Sequence, residues 1–441
     1  LLINACAQAR QPARTLERTL ELIETVARRT AYLALLVEHP MALSQLVQLC
    51  DGSAWVARFI ASHPLLLDEL LDPRALYDPL GRHALEEDLN LRLAHIAATD
   101  LEQQMEAVRH FKQTQQLKVA AADVSGAAPL MVVSDYLTNI AEVVLEKTIE
   151  LCWGHLTAKH GRPYCQSCGE RREARFAAIA YGKLGGIELG YNSDLDLVFI
   201  HDSSGEAQET DGQRPIDNQV FFARLAQRIV HFLNTPTPGG IVYEIDTRLR
   251  PSGKAGLMST SIEAFKSYQT EHAWTWEHQA LVRARAVSGS PELSSRFAQI
   301  RSEILQMPRL PQELRAEVCN MRERQRQEKG NNNPQLFDLK NDRGGITDIE
   351  FIVQYLALAN AHNHPEVVGY TDKVRLLRSL AAAGRLSPEY SSRLAHAYRT
   401  YRHRLHQLAL QDEGNMVNRN ELEEERGAVT EIWQQIMVCR D

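Results

Sequence analysis

The sequence lacks several features that would assign it to a membrane, secreted or nucleic-acid-binding class. No apolar run approaches the ~18 residues that a membrane-spanning helix needs, and the first residues carry no signal-peptide pattern. Lys and Arg (49) are outnumbered by Asp and Glu (56), which gives a formal net charge of −7. General nucleic-acid binders are usually basic. We therefore expect neither a membrane nor a nucleic acid as a partner.

Cysteine is also scarce, with seven residues in a chain of 441. An odd and modest number predicts a reducing, cytoplasmic environment rather than a disulfide scaffold. Cys165 and Cys168 form a single CxxC, with Cys152, His155 and His160 upstream. Because structural zinc sites usually use a second, well-spaced pair of ligands, we interpret this segment as a loop with free thiols. Zinc is the alternative.

The pattern of the chain changes twice along its length. Residues 1–124 have helical spacing throughout and carry no catalytic constellation, so they predict an N-terminal helical region. Residues 125–290 contain the glycine turns and alternating runs of an α/β core, and residues 291–441 return to helical spacing as a C-terminal bundle. The chain begins at Leu1 rather than at Met, and we expect a segment of a longer protein.

The segment YGKLGGIELGYNSDLDLVFI, residues 181–200, organises the predicted core. It predicts a strand, a glycine turn, a short helix and a second strand. The apolar run before it is typical of a buried strand. Gly182, Gly185 and Gly186 then follow where the backbone turns sharply or approaches a ligand closely. A glycine turn that opens a helix offers N–H groups to phosphate.

Two acids stand on one face of the second strand. Side chains two apart on a strand share a face, so Asp194 and Asp196 point one way and the intervening leucines the other. Carboxylates on an apolar strand are costly to bury unless a cation compensates them. Mg²⁺ is typically held by one or two carboxylates together with substrate phosphates. The segment therefore predicts a magnesium–nucleotide site.

A second alternating run, IVYEIDTRLR at residues 241–250, predicts another strand. Glu244, Asp246, Arg248 and Arg250 would share one face of it. One interpretation is a row of surface salt bridges. The other is a third metal carboxylate beside two phosphate-binding arginines, and the upstream acids favour it.

Two further segments carry candidate residues. In WTWEHQALVRAR, Trp274 and Trp276 suit core packing, and Arg283 and Arg285 either reach a triphosphate or form a solvated face. A second glycine turn, residues 343–345, is followed by Thr347, with Glu350 three positions later. This spacing predicts a capping box that starts a helix.

In this order and spacing, these segments resemble the glutamine synthetase adenylyltransferase family. The resemblance comprises YGKLGGIELGYNSDLDLVF, YEIDTRLRPSG, WTWEHQALVRAR and RGGITDIEFIVQYL, and it extends to FKQTQQLKVAAADVSG in the N-terminal region. The family belongs to the nucleotidyltransferase superfamily, which includes DNA polymerase β and kanamycin nucleotidyltransferase. Its N-terminal half removes AMP from glutamine synthetase and its C-terminal half adds AMP. ELGYNSDLDLVF and GGITDIEF resemble the adenylylating half.

The resemblance implies an α+β, mostly helical fold. A polymerase-β-like core with a mixed sheet would lie between the N-terminal helical region and the C-terminal helical bundle. It also implies ATP as substrate, two Mg²⁺ ions and release of pyrophosphate. The implied metal ligands are Asp194, Asp196 and Asp246, with Asp246 also a proton acceptor. The implied phosphate-binding residues are Gly185, Gly186, Ser193, Arg248 and Arg250.

The implied acceptor is a tyrosine hydroxyl of glutamine synthetase in the cytoplasm, and adenylylation would down-regulate nitrogen assimilation. The PII signal protein and glutamine are the implied partner and effector. Three alternatives remain: phosphorolytic deadenylylation, a different nucleotidyl acceptor, and an inactive regulatory scaffold. The intact acids argue against the scaffold. Asp348 and Glu350 would disfavour a phosphate nucleophile if they faced the cleft, which favours AMP addition.

Overall fold

The structure is a computed structural model that describes residues 1–27, 30–167, 170–331 and 333–438. Within these ranges helices predominate, and the strands form small sheets of mixed direction. The mostly helical α+β class predicted from the sequence is confirmed. No single helix in the described ranges has the length and apolarity to cross a membrane. Among the described residues, only Ala31–Glu38 and Pro40–Gly52 taken together meet both criteria, and the two helices are bent by 101°.

The first third of the chain is helical. Its helices often begin at a proline, whose fixed φ suits the first helical turn, or at a capping side chain such as Ser53, whose Oγ accepts the Val56 N–H. A 3₁₀ turn covers Pro64–Leu71. The helices are α1 (Leu2–Cys6), α2 (Pro12–Val26), α3 (Thr30–Glu38), α4 (Pro40–Gly52), α5 (Ala54–Ser62), α6 (Pro73–Leu76), α7 (Arg82–Leu93), α8 (Leu101–Val124) and α9 (Leu130–His160).

The middle of the chain contains two sheets. Its elements are β1 (Pro163–Ser167), β2 (Glu170–Glu173), β3 (Phe176–Ala180), α10 (Gly182–Gly185), β4 (Leu195–His201), β5 (Glu206–Thr210), α11 (Asn218–Asn234), β6 (Ile245–Asp246), β7 (Ser259–Ser261), α12 (Ile262–Glu271), α13 (Thr275–Leu281) and β8 (Arg285–Gly289). Strands β2, β1 and β5 form a small antiparallel sheet. The larger sheet has β3 between β8 and β4, both antiparallel to it. Strands β6 and β7 run parallel to β4 at its two ends.

The larger sheet is buried on both faces. Alternate residues of β3 and β4 enter different hydrophobic clusters, because successive side chains of a strand point to opposite faces. Ala178 and Phe199 join the cluster that contains the N-terminal helices and α11, whereas Ile179 and Val198 join the cluster of the later helices. This double burial explains why β3 is an uninterrupted apolar run rather than an alternating one.

The last third is a helical bundle. Its elements are α14 (Pro291–Leu305), α15 (Pro311–Lys329), β9 (Leu336–Asp338), α16 (Ile346–Asn360), α17 (Lys373–Ala382), α18 (Pro388–Leu410), β10 (Met416–Asn418) and α19 (Glu423–Met437). Strands β9 and β10 form an antiparallel pair. The bundle also contacts the N-terminal helices directly, since Ser53 Oγ donates to the Leu410 carbonyl at 2.7 Å. The domain boundaries after residues 124 and 290 stay predictions.

The strand predicted over residues 241–250 is wrong in extent. Only Ile245 and Asp246 pair with β4, and the Leu195 N–H donates to the Glu244 carbonyl at 2.9 Å. Beyond this point the Asp246 carboxylate accepts the backbone N–H of Arg248 at 2.8 Å. An aspartate that bonds the backbone two residues later forms a turn, and this turn ends the strand.

Two local predictions are also wrong. Thr347 is not a helix cap: α16 begins at Ile346, with Gly345 at the N-cap, and Thr347 is buried in the first turn. The Asp348 carboxylate instead accepts the Gly344 N–H at 2.7 Å. The second error concerns Trp274 and Trp276, which are 72% and 40% exposed rather than packed in the core.

The thiols of the CxxC segment are only partly described. Cys165 lies on β1 with a buried, free thiol, and Cys168 lies outside the described residues. Cys152 on α9 is also free, and burial raises the pKa of its thiol to about 12. A thiol of high pKa is a poor metal ligand, because the thiolate is the ligating form.

Candidate active site

Three aspartates meet where β4 begins. Asp194 directly precedes β4, Asp196 is its second residue, and the parallel pairing of β4 with β6 puts Asp246 beside Asp196. One carboxylate oxygen from each of the three lies within 4.8 Å of the others. The structure thus brings together all three acids that the sequence predicted as metal ligands. Their role as ligands stays a prediction.

The charges of this triad are unevenly compensated. Burial and the neighbouring Asp194 and Asp246 carboxylates raise the pKa of Asp196 to about 6. The pKa of Asp246 is lowered, chiefly because Arg248 donates to its carboxylate through Nε at 2.7 Å and through its backbone N–H. Three converging carboxylates form the oxygen donor set that divalent cations such as Mg²⁺ prefer. The residues therefore fit a divalent metal.

Gly182 allows helix α10 to approach the triad. It has a φ of +53°, a conformation that side chains other than glycine rarely adopt. A Cβ at this position would overlap Oδ2 of Asp196. The sequence identified Gly182 as part of a turn, but the acid that requires its small size was not evident.

Gly185 and Gly186 make a different close approach. Their N–H groups donate within the turn, to the carbonyls of Tyr181 at 2.8 Å and Gly182 at 3.2 Å. A Cβ on Gly185 would overlap the Arg283 carbonyl oxygen, and one on Gly186 would overlap the Arg283 guanidinium. The structure therefore explains both glycines by packing. Their assignment to phosphate binding stays a prediction.

Ser193 adjoins the triad from the loop that precedes β4. Its Oγ accepts the Gly190 N–H at 2.9 Å and lies 3.4 Å from Nζ of Lys183. Because Ser193 directly precedes Asp194, a ligand on its hydroxyl would be close to the triad. Its predicted phosphate contact stays a prediction.

The two arginines predicted to bind phosphate differ in their surroundings. Arg248 pairs with Asp246, and its side chain is 71% exposed. Arg250 donates to the carbonyls of Thr247 at 2.8 Å and Lys254 at 3.1 Å, and thereby stabilises the turn after β6. Phosphate binding by both arginines stays a prediction.

The next two arginines do not form a solvated face, and their contact with a triphosphate stays a prediction. Arg283 is buried and forms an ion pair with Glu188, so it is not on a solvated face. Arg285 donates to Glu142 at 2.5 Å and to the Leu184 carbonyl at 2.9 Å. Both guanidinium groups hold α10 and its following loop in place.

The acids on α16 do not present free negative charge. Asp348 is paired with Arg322 at 2.6 Å, and Glu350 is paired with Lys373 at 2.8 Å. Opposite charges at these distances largely cancel each other's field. These two acids therefore give no electrostatic reason to disfavour a phosphate nucleophile.

A basic cavity next to the triad was missed by the sequence analysis. It has a volume of about 200 Å³. Its lining includes Lys183, Ser193, Lys340 and Arg402. Lys183 had a sequence signal, because a cation follows directly after Gly182. Lys340 and Arg402 had none, since they come from a turn and a helix far along the chain.

Two family models match this chain. The family model for glutamate-ammonia ligase adenylyltransferase matches residues 43–300, and the model for GlnD PII-uridylyltransferase matches residues 312–430. The first match contains the entire acidic triad. The resemblance inferred from the motifs is thereby confirmed.

Three curated relatives are each described as a bifunctional glutamine synthetase adenylyltransferase/adenylyl-removing enzyme. The protein of Thioalkalivibrio sulfidiphilus is 52% identical over 437 residues, and that of Nitrosococcus oceani is 51% identical over 437 residues. Each alignment covers 99% of this chain and 45% of the relative. The protein of Hahella chejuensis is 48% identical over 440 residues, with 99% and 46% covered. This chain thus spans about half the length of these relatives. Because one family model matches more than half of it, the chain belongs to the glutamate-ammonia ligase adenylyltransferase family.

Proposed function

We propose that this chain transfers AMP from ATP to a tyrosine hydroxyl of glutamine synthetase and releases pyrophosphate. The observation that carries the proposal is the convergence of Asp194, Asp196 and Asp246 within 4.8 Å, in a chain that belongs to this family. Asp246 is paired with Arg248, but among the described residues neither Asp194 nor Asp196 has an ion-pair partner. Acids of this kind are costly to keep together, and a metal-dependent reaction accounts for them.

The three aspartates would hold two Mg²⁺ ions. When bound, these ions neutralise charge on the triphosphate and favour the ionised form of the attacking hydroxyl. The chain itself positions the reactants, which is the main protein contribution to phosphoryl-type transfer. Gly182 keeps α10 against Asp196, and Arg248 orients the carboxylate of Asp246. Asp246 is the proposed acceptor of the tyrosine proton.

AMP addition is proposed over AMP removal because the ELGYNSDLDLVF and GGITDIEF segments resemble the adenylylating half of the family. The names of the curated relatives include both activities, so removal of AMP by phosphate is the alternative. The two reactions would share the metal site and differ in what attacks the α-phosphorus.

The test is incubation with glutamine synthetase, Mg²⁺ and α-labelled ATP. We expect label to be incorporated into glutamine synthetase by the wild-type chain and not by Asp196→Asn. Glu244→Gln is the matched control, because Glu244 is an exposed acid two residues before Asp246 and outside the triad. Release of ADP from adenylylated glutamine synthetase with phosphate, without forward incorporation, would reverse the direction. Absence of both reactions would favour a regulatory scaffold.

The proposed setting is the cytoplasm, where glutamine synthetase would be the protein substrate. We also propose regulation by the PII signal protein and by glutamine. The match of residues 312–430 to a PII-uridylyltransferase model supports a link to PII. Addition of PII and glutamine to the incorporation assay tests both effectors, and an unchanged rate would contradict this part of the proposal.

A further inference from the structure

Three cations from distant parts of the chain line the cavity beside the triad. Lys183 lies on α10, Lys340 lies in the turn after β9, and Arg402 lies on α18. The remaining lining includes Ser193 and the backbone at Gly190. The cavity therefore lies between the α/β core and the C-terminal bundle, and both contribute positive charge to it.

The acid that lines this cavity does not cancel its positive charge. Outside the lining, Asp194 and Glu350 lie near Lys183, and Glu350 is paired with Lys373. Glu188 is the one acid among the lining residues, and its carboxylate is already bound by Arg283 and by Lys373, the latter at 2.6 Å. Within the described ranges, Lys340 makes no ion pair. Among the described residues, Arg402 donates only to neutral acceptors, which are the Glu188 carbonyl at 2.8 Å and the Ser134 hydroxyl at 2.9 Å. The cavity thus carries excess positive charge, which favours an anion.

His406 and Lys183 both line the cavity. Nε2 of His406 contacts the Asp123 carboxylate at 2.6 Å, so this acid is paired with the imidazole. Lys183 has the Ser193 hydroxyl at 3.4 Å as its hydrogen-bond partner. Serine hydroxyls and lysine ammonium groups are common phosphate ligands.

Two residues that line the cavity adjoin residues of the triad region in the sequence. Ser193 lines the cavity and Asp194 follows it directly, while Lys183 lines the cavity and follows Gly182, which contacts Asp196. An α-phosphate held at the triad would therefore extend its β- and γ-phosphates toward Lys183. We propose that Lys183, Lys340 and Arg402 bind the β- and γ-phosphates of a nucleoside triphosphate, and so hold the pyrophosphate that leaves.

This inference rests on the proposed function, because it assumes that the triad binds the α-phosphate. It assigns the main triphosphate contacts to residues other than the arginines expected from the sequence. Arg250 is engaged by backbone carbonyls, and Arg248 is engaged by Asp246. It also makes the C-terminal bundle part of the nucleotide site, since Lys340 and Arg402 both belong to it.

The test measures binding rather than turnover. Tripolyphosphate and pyrophosphate are titrated, with Mg²⁺, into the wild-type chain and into Lys340→Met and Arg402→Met. Lys254→Met is the matched control, because Lys254 is a cation near Asp246 but outside the cavity. We expect each cavity variant to weaken tripolyphosphate binding about tenfold or more, as loss of one charge-assisted contact predicts. The control should change it less than about twofold.

Arg402→Lys is a check on the fold. It keeps the positive charge at residue 402, where the arginine guanidinium also donates to the Glu188 carbonyl. Unchanged tripolyphosphate affinity in a folded Lys340→Met variant would overturn the inference, as would an equal loss in Lys254→Met, which would indicate nonspecific attraction. A failure of the proposed function would look different. If tripolyphosphate binding depends on the cavity but no AMP is transferred to glutamine synthetase, the binding site is supported and the proposed reaction is refuted.

Discussion

Replacement of Asp196 by Asn should stabilise the metal-free protein. The pKa of Asp196 is raised from 3.8 to about 6, first by burial and then by repulsion from Asp194 and Asp246. One pKa unit corresponds to ~1.36 kcal/mol, so the ionised carboxylate costs the folded state about 3 kcal/mol. Asparagine has a similar shape and no charge. We therefore expect the free energy of unfolding of Asp196→Asn to exceed that of the wild type by about 1–3 kcal/mol at pH 7.5.

The gain should depend on pH in a defined direction. Between about pH 4 and pH 6 the folded state keeps the Asp196 proton while the unfolded state loses it, so wild-type stability falls as the pH rises through this window. Above pH 6 the full cost is present, and below pH 4 it is absent. The difference between the variant and the wild type should therefore grow from near zero at pH 4 to its full value above pH 6.

Urea unfolding of both proteins in EDTA, at several pH values, measures this difference. Adding Mg²⁺ at pH 7.5 should reverse the order, because the metal stabilises the folded wild type through the carboxylate that the variant lacks. Glu244→Gln, which removes an exposed acid from the same segment, should show neither effect. A gain that is absent at pH 7.5, or that is equal at pH 4 and pH 7.5, would refute the view that Asp196 carries an uncompensated charge.

Two further substitutions test the architecture around the triad. Gly182→Ala should lower the thermal midpoint and abolish Mg²⁺-dependent ATP binding, because the new Cβ overlaps the Asp196 carboxylate and the φ of +53° is strained for alanine; ATP binding at wild-type affinity would contradict it. Glu188→Gln should cost about 3 kcal/mol in urea unfolding, because it removes the nearer counter-charge of the buried Arg283 and Lys373 and leaves Glu350 as the acid that they share. Exposed Glu206→Gln is its control, and an equally small effect of both would show that the Glu188 cluster is not needed for stability.

Local patterns in the sequence determined the centre of the site. The apolar run and the alternation that follows it predicted β3 and β4, because strand burial leaves a period that is readable without tertiary information. The same alternation predicted that Asp194 and Asp196 share one face of the strand. Asp246 was found because it alternates with apolar residues in its own segment. Similarity over these motifs also identified the family, which the comparisons confirm.

Tertiary structure decided which charges meet. Periodicity shows which face of an element is polar, but not which partner a charged side chain finds. Arg283 was expected at a triphosphate or in solvent, and it binds Glu188, 95 residues away. The strand over residues 241–250 ended early because the Asp246 carboxylate bonds the Arg248 N–H, a local choice that alternation does not report.

The basic cavity is the clearest case of a feature that only the fold creates. Lys183 and Ser193 are ten residues apart, but Lys340 and Arg402 reach the same cavity from the C-terminal bundle. The bundle is held against the loop by Glu188 and Lys373, which are 185 residues apart. Electrostatic energy depends on distance in space and on burial, and neither quantity is encoded in the spacing of these residues along the chain.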